Sequence, residues 1–74
     1  MVYVQFYVND KELLGSDGVY ILDGRNNFHN MINDCYERVN KLRFVQPNIN
    51  SFQIFKGKFS DSKPISKKIY YKHE

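Results

Sequence analysis

Apolar and polar positions alternate from the start of the chain. Val2, Val4, Phe6 and Val8 fall on one parity, and Tyr3, Gln5 and Tyr7 on the other. A period of two, rich in β-branched and aromatic residues, predicts a strand with Val2, Val4, Phe6 and Val8 facing the core. Asn9-Asp10 supplies turn chemistry. Glu12-Leu13-Leu14 extends a strand or belongs to a loop, and Gly15-Ser16-Asp17-Gly18 is a second turn. Val19 to Leu22 reads as strand two, ending at Asp23-Gly24. The period then changes. Phe28, Met31, Ile32, Cys35, Val39 and Leu42 recur at three- and four-residue steps and form one apolar stripe on a helix from Asn27 to Arg43. Asn26 or Asn27 is placed to cap it. Asp34 with Arg38, and Glu37 with Lys41, stand four apart, acid first, as supporting ion pairs. Pro47 and Asn48-Ile49-Asn50 end the helix. Phe52 to Phe59 reads as strand three, with Gly57 marking a bulge or bend. Ser60 to Pro64 reads as a turn. Ile65 to Tyr71 reads as strand four, with Ile65, Ile69 and Tyr71 on one face and Lys67 interrupting it, as suits an edge strand.

The pattern predicts an α+β fold of ββαββ type: an antiparallel sheet of about four strands with one amphipathic helix packed on one face, in a single domain spanning 1–74. A domain of 74 residues has too little chain for both a core and a deep enclosed cavity. A surface-acting protein is therefore favoured.

Cys35 is the only cysteine, which excludes an internal disulfide and with it a small disulfide-stapled scaffold. No apolar run approaches the roughly 18 residues of a membrane span. MVYVQFYVND lacks the basic start and small-residue cleavage site of a secretory signal. A soluble cytoplasmic protein is the expectation. Asn, Lys, Ile, Phe and Tyr, all served by AT-rich codons, make up 34 of 74 residues, which points to an AT-rich genome.

Catalytic chemistry needs convergent groups, and few are offered. Cys35 and His29 lie about 120° apart around the helix axis, too divergent for a nucleophile and its base. Cys35 also falls in the apolar stripe and reads as a buried structural thiol. His29 is a surface residue and His73 a tail residue, so no zinc site forms. Gly15 to Gly18 lacks the Gly-Lys-Ser/Thr ending of a phosphate loop and the spaced acids of a calcium loop. Asp23-Gly24-Arg25 reads as a strand-to-helix turn. The expectation is a protein without enzymatic activity, cofactor or metal.

The charge is split. The first 40 residues carry three basic and six acidic side chains, a formal −3; the last 34 carry eight basic and two acidic ones, a formal +6. Lys56, Lys58, Lys63, Lys67, Lys68 and Lys72 are interleaved with Phe55, Phe59, Tyr70 and Tyr71, a pattern in which cations neutralise phosphates and rings stack on unpaired bases. With three arginines in the chain, such contact would carry little sequence specificity. The competing surface is the sheet face that the helix leaves open. Tyr3, Tyr7, Tyr20, Phe55 and Tyr70 alternate out of the core register and are assigned to it, and Tyr is enriched at protein interfaces. Protein binding through Tyr3, Tyr7, Tyr20 and Tyr70 is the leading expectation, with a homodimer through the same patch as one form of it. Nucleic-acid binding by the basic hairpin is the alternative.

GVYILDGRNNFHNMI and SFQIFKGKFSDSKPI resemble segments of small accessory proteins encoded by phages and prophages of low-GC bacteria. The resemblance covers most of the chain in size and layout and carries no catalytic residue. It implies an inhibitor or adaptor that binds host or defence machinery inside a bacterial cell.

Overall fold

The strand β1 (Val2–Val8) is the centre of the molecule, and a computed structural model of the chain, which describes residues 1–71, shows how it is covered on both faces. Val2, Val4 and Phe6 are buried under the helix, and Tyr3 and Tyr7 are buried on the opposite side. β1 runs antiparallel to β4 (Ile49–Lys58) along its whole length, from Val2 opposite Lys56 to Val8 opposite Ile49. Its other edge is shared by two short strands. β2 (Lys11–Glu12) pairs with Val8 and Tyr7, and β3 (Val19–Leu22) pairs with Val2 to Gln5. The free edge of β4 is divided in the same way between β5 (Asp61–Pro64) and β6 (Ile69–Tyr70).

The fold is α+β, with one helix and a curled antiparallel sheet of six strands. This corrects the four-strand ββαββ expectation. The expected Ser60–Pro64 turn is largely strand β5, and the reversal is made by Phe59-Ser60 alone, because Lys58 already pairs with Asp61. The expected strand from Ile65 to Tyr71 is interrupted. Ser66 takes its place in the ladder with a side chain: its Oγ accepts from Ile54 N at 3.0 Å, and its carbonyl accepts from Gln53 Nε2 at 3.1 Å. Regular pairing resumes only at Ile69.

The β1–β2 turn is tight because Asn9 and Asp10 both adopt positive φ, 50° and 67°, the backbone of a type I′ hairpin that Asn and Asp tolerate. The next loop closes on a 3-10 turn, Ser16–Gly18. Gly18 is required there by space: a Cβ would stand 1.8 Å from Leu13 O.

The helix α1 (Phe28–Leu42) starts at Asn27, whose side chain accepts from Asn30 N at 2.8 Å. It ends in a turn through Arg43 to Val45, held by Val45 N and Gln46 N on Leu42 O, before Pro47 enforces extended backbone. Met31, Cys35, Val39 and Leu42 are buried on the sheet, Ile32 is partly buried and Phe28 is half exposed. The expected Asp34–Arg38 and Glu37–Lys41 ion pairs do not close; the ion pairs among the described residues are Asp23–Arg25 and Asp10–Lys68. Arg38 lies over the Tyr20 ring instead, 4.9 Å from its centroid.

A register shift between Tyr7 and Val8 inserts Asn50 as an extra residue. Without it Ile49 would take the parity of Ser51 and face away from the helix. The bulge reverses that parity, and Ile49 is fully buried in the core with Phe6 and Phe52. The displaced Asn50 carbonyl accepts from Tyr71 N at 2.8 Å.

Candidate functional site

The cross-strand register defines what the helix-free face presents. Ile21, Tyr3, Phe55 and Pro64 stand opposite one another in turn and form a row across four strands. Val19, Gln5 and Gln53 form the next row, and Glu12, Tyr7, Ser51 and Tyr70 the one after. The first row is apolar, the second amide-rich, and the third mixes phenols with a carboxylate.

Tyr3 is the floor of this surface. Its ring stacks on Phe55 at 5.3 Å between centroids and meets Phe59 edge-on at 4.6 Å. Its hydroxyl shares a hydrogen bond of 2.6 Å with Ser62. Only 6% of Tyr3 is exposed. Tyr7, 7% exposed, donates to Gln53 Oε1 at 3.2 Å and lies under Lys68 Nζ at 4.3 Å from the ring centroid. The surface therefore differs from an open plate of tyrosines. Its exposed apolar groups include Ile21 at 52% and Phe59 at 58%. Between Phe59 and Glu12 lies a cleft of about 330 Å3 lined by Tyr3, Gln5, Tyr7, Glu12, Val19, Phe55, Phe59 and Ser62.

Tyr70 belongs to this face and is half exposed, and its hydroxyl donates to Asp10 Oδ1 at 3.1 Å. Tyr20 does not belong to it. Opposite Val4 in the register, it takes the helix side of the sheet. The six lysines are not one patch either. Lys56 stands directly opposite Lys63, and Lys58 opposite Asp61, all on the parity of Val2 and all exposed. Lys68 is on the other face, 3.8 Å from Asp10 and over Tyr7. Lys67 is exposed between β5 and β6. Lys72 lies outside the described residues.

Several titrations are displaced. Burial, then the charge of Glu12, then Tyr3, push the Tyr7 phenol above its ordinary value. The hydrogen bond to Asp10, then its charge, raise Tyr70. Burial, with help from Asp34, pushes the Cys35 thiol up to about 12, so the thiolate that nucleophilic chemistry needs is scarce at neutral pH. Hydrogen bonds from Arg25 lower Asp23, and that pair closes the strand-to-helix turn. Among the described residues no three His, Cys, Asp or Glu side chains gather as metal ligands. No helix among them is long and apolar enough to cross a membrane.

No protein-family model, curated protein or solved structure matches the chain. The geometry thus has to carry the functional argument. Sequence patterning does not single out Glu12, Val19, Ile21 and Ser62 as residues of this face. Their membership follows from register alone, and the apolar stretch from Val19 to Leu22 does not reveal which parity faces the helix.

Proposed function

We propose that this protein is a small non-enzymatic binding module that docks a partner protein on the helix-free face of its sheet. The observation that carries the reading is a pair of exposed apolar side chains about Tyr3: Phe59, which lines the cleft, and Ile21, which stands opposite Tyr3 in the register. Exposed apolar groups beside a fixed aromatic floor match the anchor-and-pocket arrangement of protein interfaces. A standard interface of about 800 Å2 per partner would take about 15% of the 5216 Å2 surface. The cleft alone is too small for that, so the partner spans the Ile21-to-Pro64 row. The sheet edges support face docking over strand addition. Each is broken into strands of two and four residues, a device that blunts edge pairing. The resemblance to phage accessory proteins supports an inhibitor or adaptor acting in the bacterial cytoplasm.

The test is capture from lysates of low-GC bacteria, with and without nuclease, by the wild type and by Ile21→Asp and Phe59→Asp. Both positions are exposed, so the fold should survive, which circular dichroism checks. Loss of capture by each variant, about 30-fold for a lost anchor of 2 kcal/mol, supports the reading. Capture that both variants retain removes it.

A second reading is supported by Lys56 opposite Lys63. Like charges facing one another across a ladder are unfavourable, and a phosphate between them relieves the repulsion. Nucleic-acid binding at this hairpin predicts a salt-dependent shift of a labelled strand that Lys56→Glu with Lys63→Glu abolishes. Binding that ignores both substitutions excludes the hairpin.

A further inference from the structure

We infer that the cleft beside Glu12 takes one cationic side chain, a lysine ammonium or an arginine guanidinium, presented by the partner protein. The inference rests on the face-docking reading above and supplies the chemistry of the guest. At about 330 Å3 the cleft is at the lower limit of small-ligand pockets, which suits one side chain better than a cofactor.

The hydrogen-bonding inventory sets the sign of the guest. Gln5 directs Nε2 to Phe6 O at 2.9 Å and to Leu13 O at 3.1 Å, so the group it has left is the acceptor Oε1. Tyr7 donates its hydroxyl hydrogen to Gln53 and keeps oxygen lone pairs. Tyr3 and Ser62 share one hydrogen between their oxygens, leaving a single hydroxyl donor. Among the described residues Glu12 is the one charged side chain in the lining, it is exposed, and it closes no ion pair with another of them. A site rich in acceptors, with a carboxylate and almost no donors, rejects anions and fits a guest made of N–H donors.

The walls agree. Four aromatic rings line the cleft. Lys68 already lies over Tyr7, and Phe55 and Phe59 pack on the buried Tyr3, so the exposed Phe59 is the ring that offers a face to a cation, which the ring quadrupole stabilises. The molecule already uses this contact, with Lys68 over Tyr7, Arg38 over Tyr20 and Arg43 over Tyr71. Glu12 sits opposite Tyr7 in the register, so carboxylate and rings act on the same guest.

The test is an NMR titration of the full chain at constant ionic strength with Nα-acetyl-arginine amide, Nα-acetyl-lysine amide and their uncharged analogue Nα-acetyl-norleucine amide. Saturable shifts of Tyr3, Val19, Phe55 and Phe59 are expected with at least one cation, and affinity for norleucine should be at least about fivefold weaker. Glu12→Gln should cost the cation about fivefold, the factor for an exposed ion pair near 1 kcal/mol, and leave norleucine unchanged. Phe59→Leu should weaken the cation and spare norleucine. Equal affinity for norleucine, no effect of Glu12→Gln, or no saturable shift with either cation overturns the inference. In the capture assay, loss with Ile21→Asp and Phe59→Asp but not with Glu12→Gln also overturns it, while face docking stands. Retention by all three removes face docking itself.

Discussion

Replacing Gly18 with alanine tests the packing that joins the β2–β3 loop to the candidate face. The added Cβ would lie 1.8 Å from Leu13 O, 2.8 Å from Leu13 C and 3.2 Å from Gln5 Nε2. Two of those atoms are backbone, so no rotamer change relieves the clash. The Leu13 peptide must move, and it is held by Leu13 N on Phe6 O at 3.0 Å and by Gln5 Nε2 on Leu13 O at 3.1 Å. Overpacking costs about 1–3 kcal/mol, and two weakened hydrogen bonds add about 1 kcal/mol each. The expected loss is about 3–5 kcal/mol, against a total of roughly 4–11 kcal/mol for a domain of this length. Gly15 is the internal control. Its φ is +90° with ψ −175°, a region nearly confined to glycine, but a Cβ there meets nothing within 4 Å. Gly15→Ala should therefore cost backbone strain alone, about 1–2 kcal/mol. Urea unfolding of the three proteins measures both. Gly18→Ala should also lower Tm by about 12–40 °C, at about 4–8 °C per kcal/mol. A Gly18→Ala protein within 1 kcal/mol of wild type, or less damaged than Gly15→Ala, would refute the spatial argument.

Asn27→Ala removes the side-chain acceptor for Asn30 N and should cost about 1 kcal/mol by denaturant titration. Cys35 should resist thiol reagents at pH 8 in the folded protein and react at once in denaturant; rapid reaction of the native chain would contradict its burial. Because the folded thiol titrates at about 12, above the ordinary value near 9, the native state holds a proton that the unfolded chain releases. Stability should be insensitive to this group below pH 9 and fall as pH rises from 9 toward 12, with the fall absent in Cys35→Ser. Glu12→Gln removes a negative neighbour and should move the Tyr7 phenol down toward its ordinary value, read from ultraviolet titration; an unmoved Tyr7 would place Glu12 too far away to act on the cleft.

The parts of the fold legible in sequence are those whose pattern is dictated by one buried face. The helix is of this kind: its stripe has a period near 3.6, and Asn27 and Pro47 bracket it. The central strand is also of this kind, although alternation assigns Tyr3 and Tyr7 to an open face and the structure buries them. Their cover comes from Phe59 in a distant turn and from Lys68, and neither is encoded near β1. The edge strands escape because short polar edges look like turns. Ser-Asp-Ser-Lys-Pro has turn composition, yet its last four residues, Asp61 to Pro64, pair with β4 as β5. Ile49 escapes because a bulge reverses parity, and a bulge leaves no local signature when its extra residue is an ordinary Asn. Tyr20 escapes because Val19 to Leu22 are all apolar, so either parity serves equally well until Val4 is known to stand opposite it.

The same arrangement connects stability to binding. Tyr3 is held by the rings of Phe55 and Phe59 and at its tip by Ser62, so it fills the second face of a thin domain and floors the cleft at once. A side chain fixed by three partners has already lost its rotamer freedom on folding. A guest that reaches this floor therefore adds little ordering cost, and preorganisation of that kind raises affinity without enlarging the interface. Ile21 is half exposed and has no ring contact of the kind that seats Phe59 on Tyr3, so its ordering, rather than that of the floor, is what docking has to overcome.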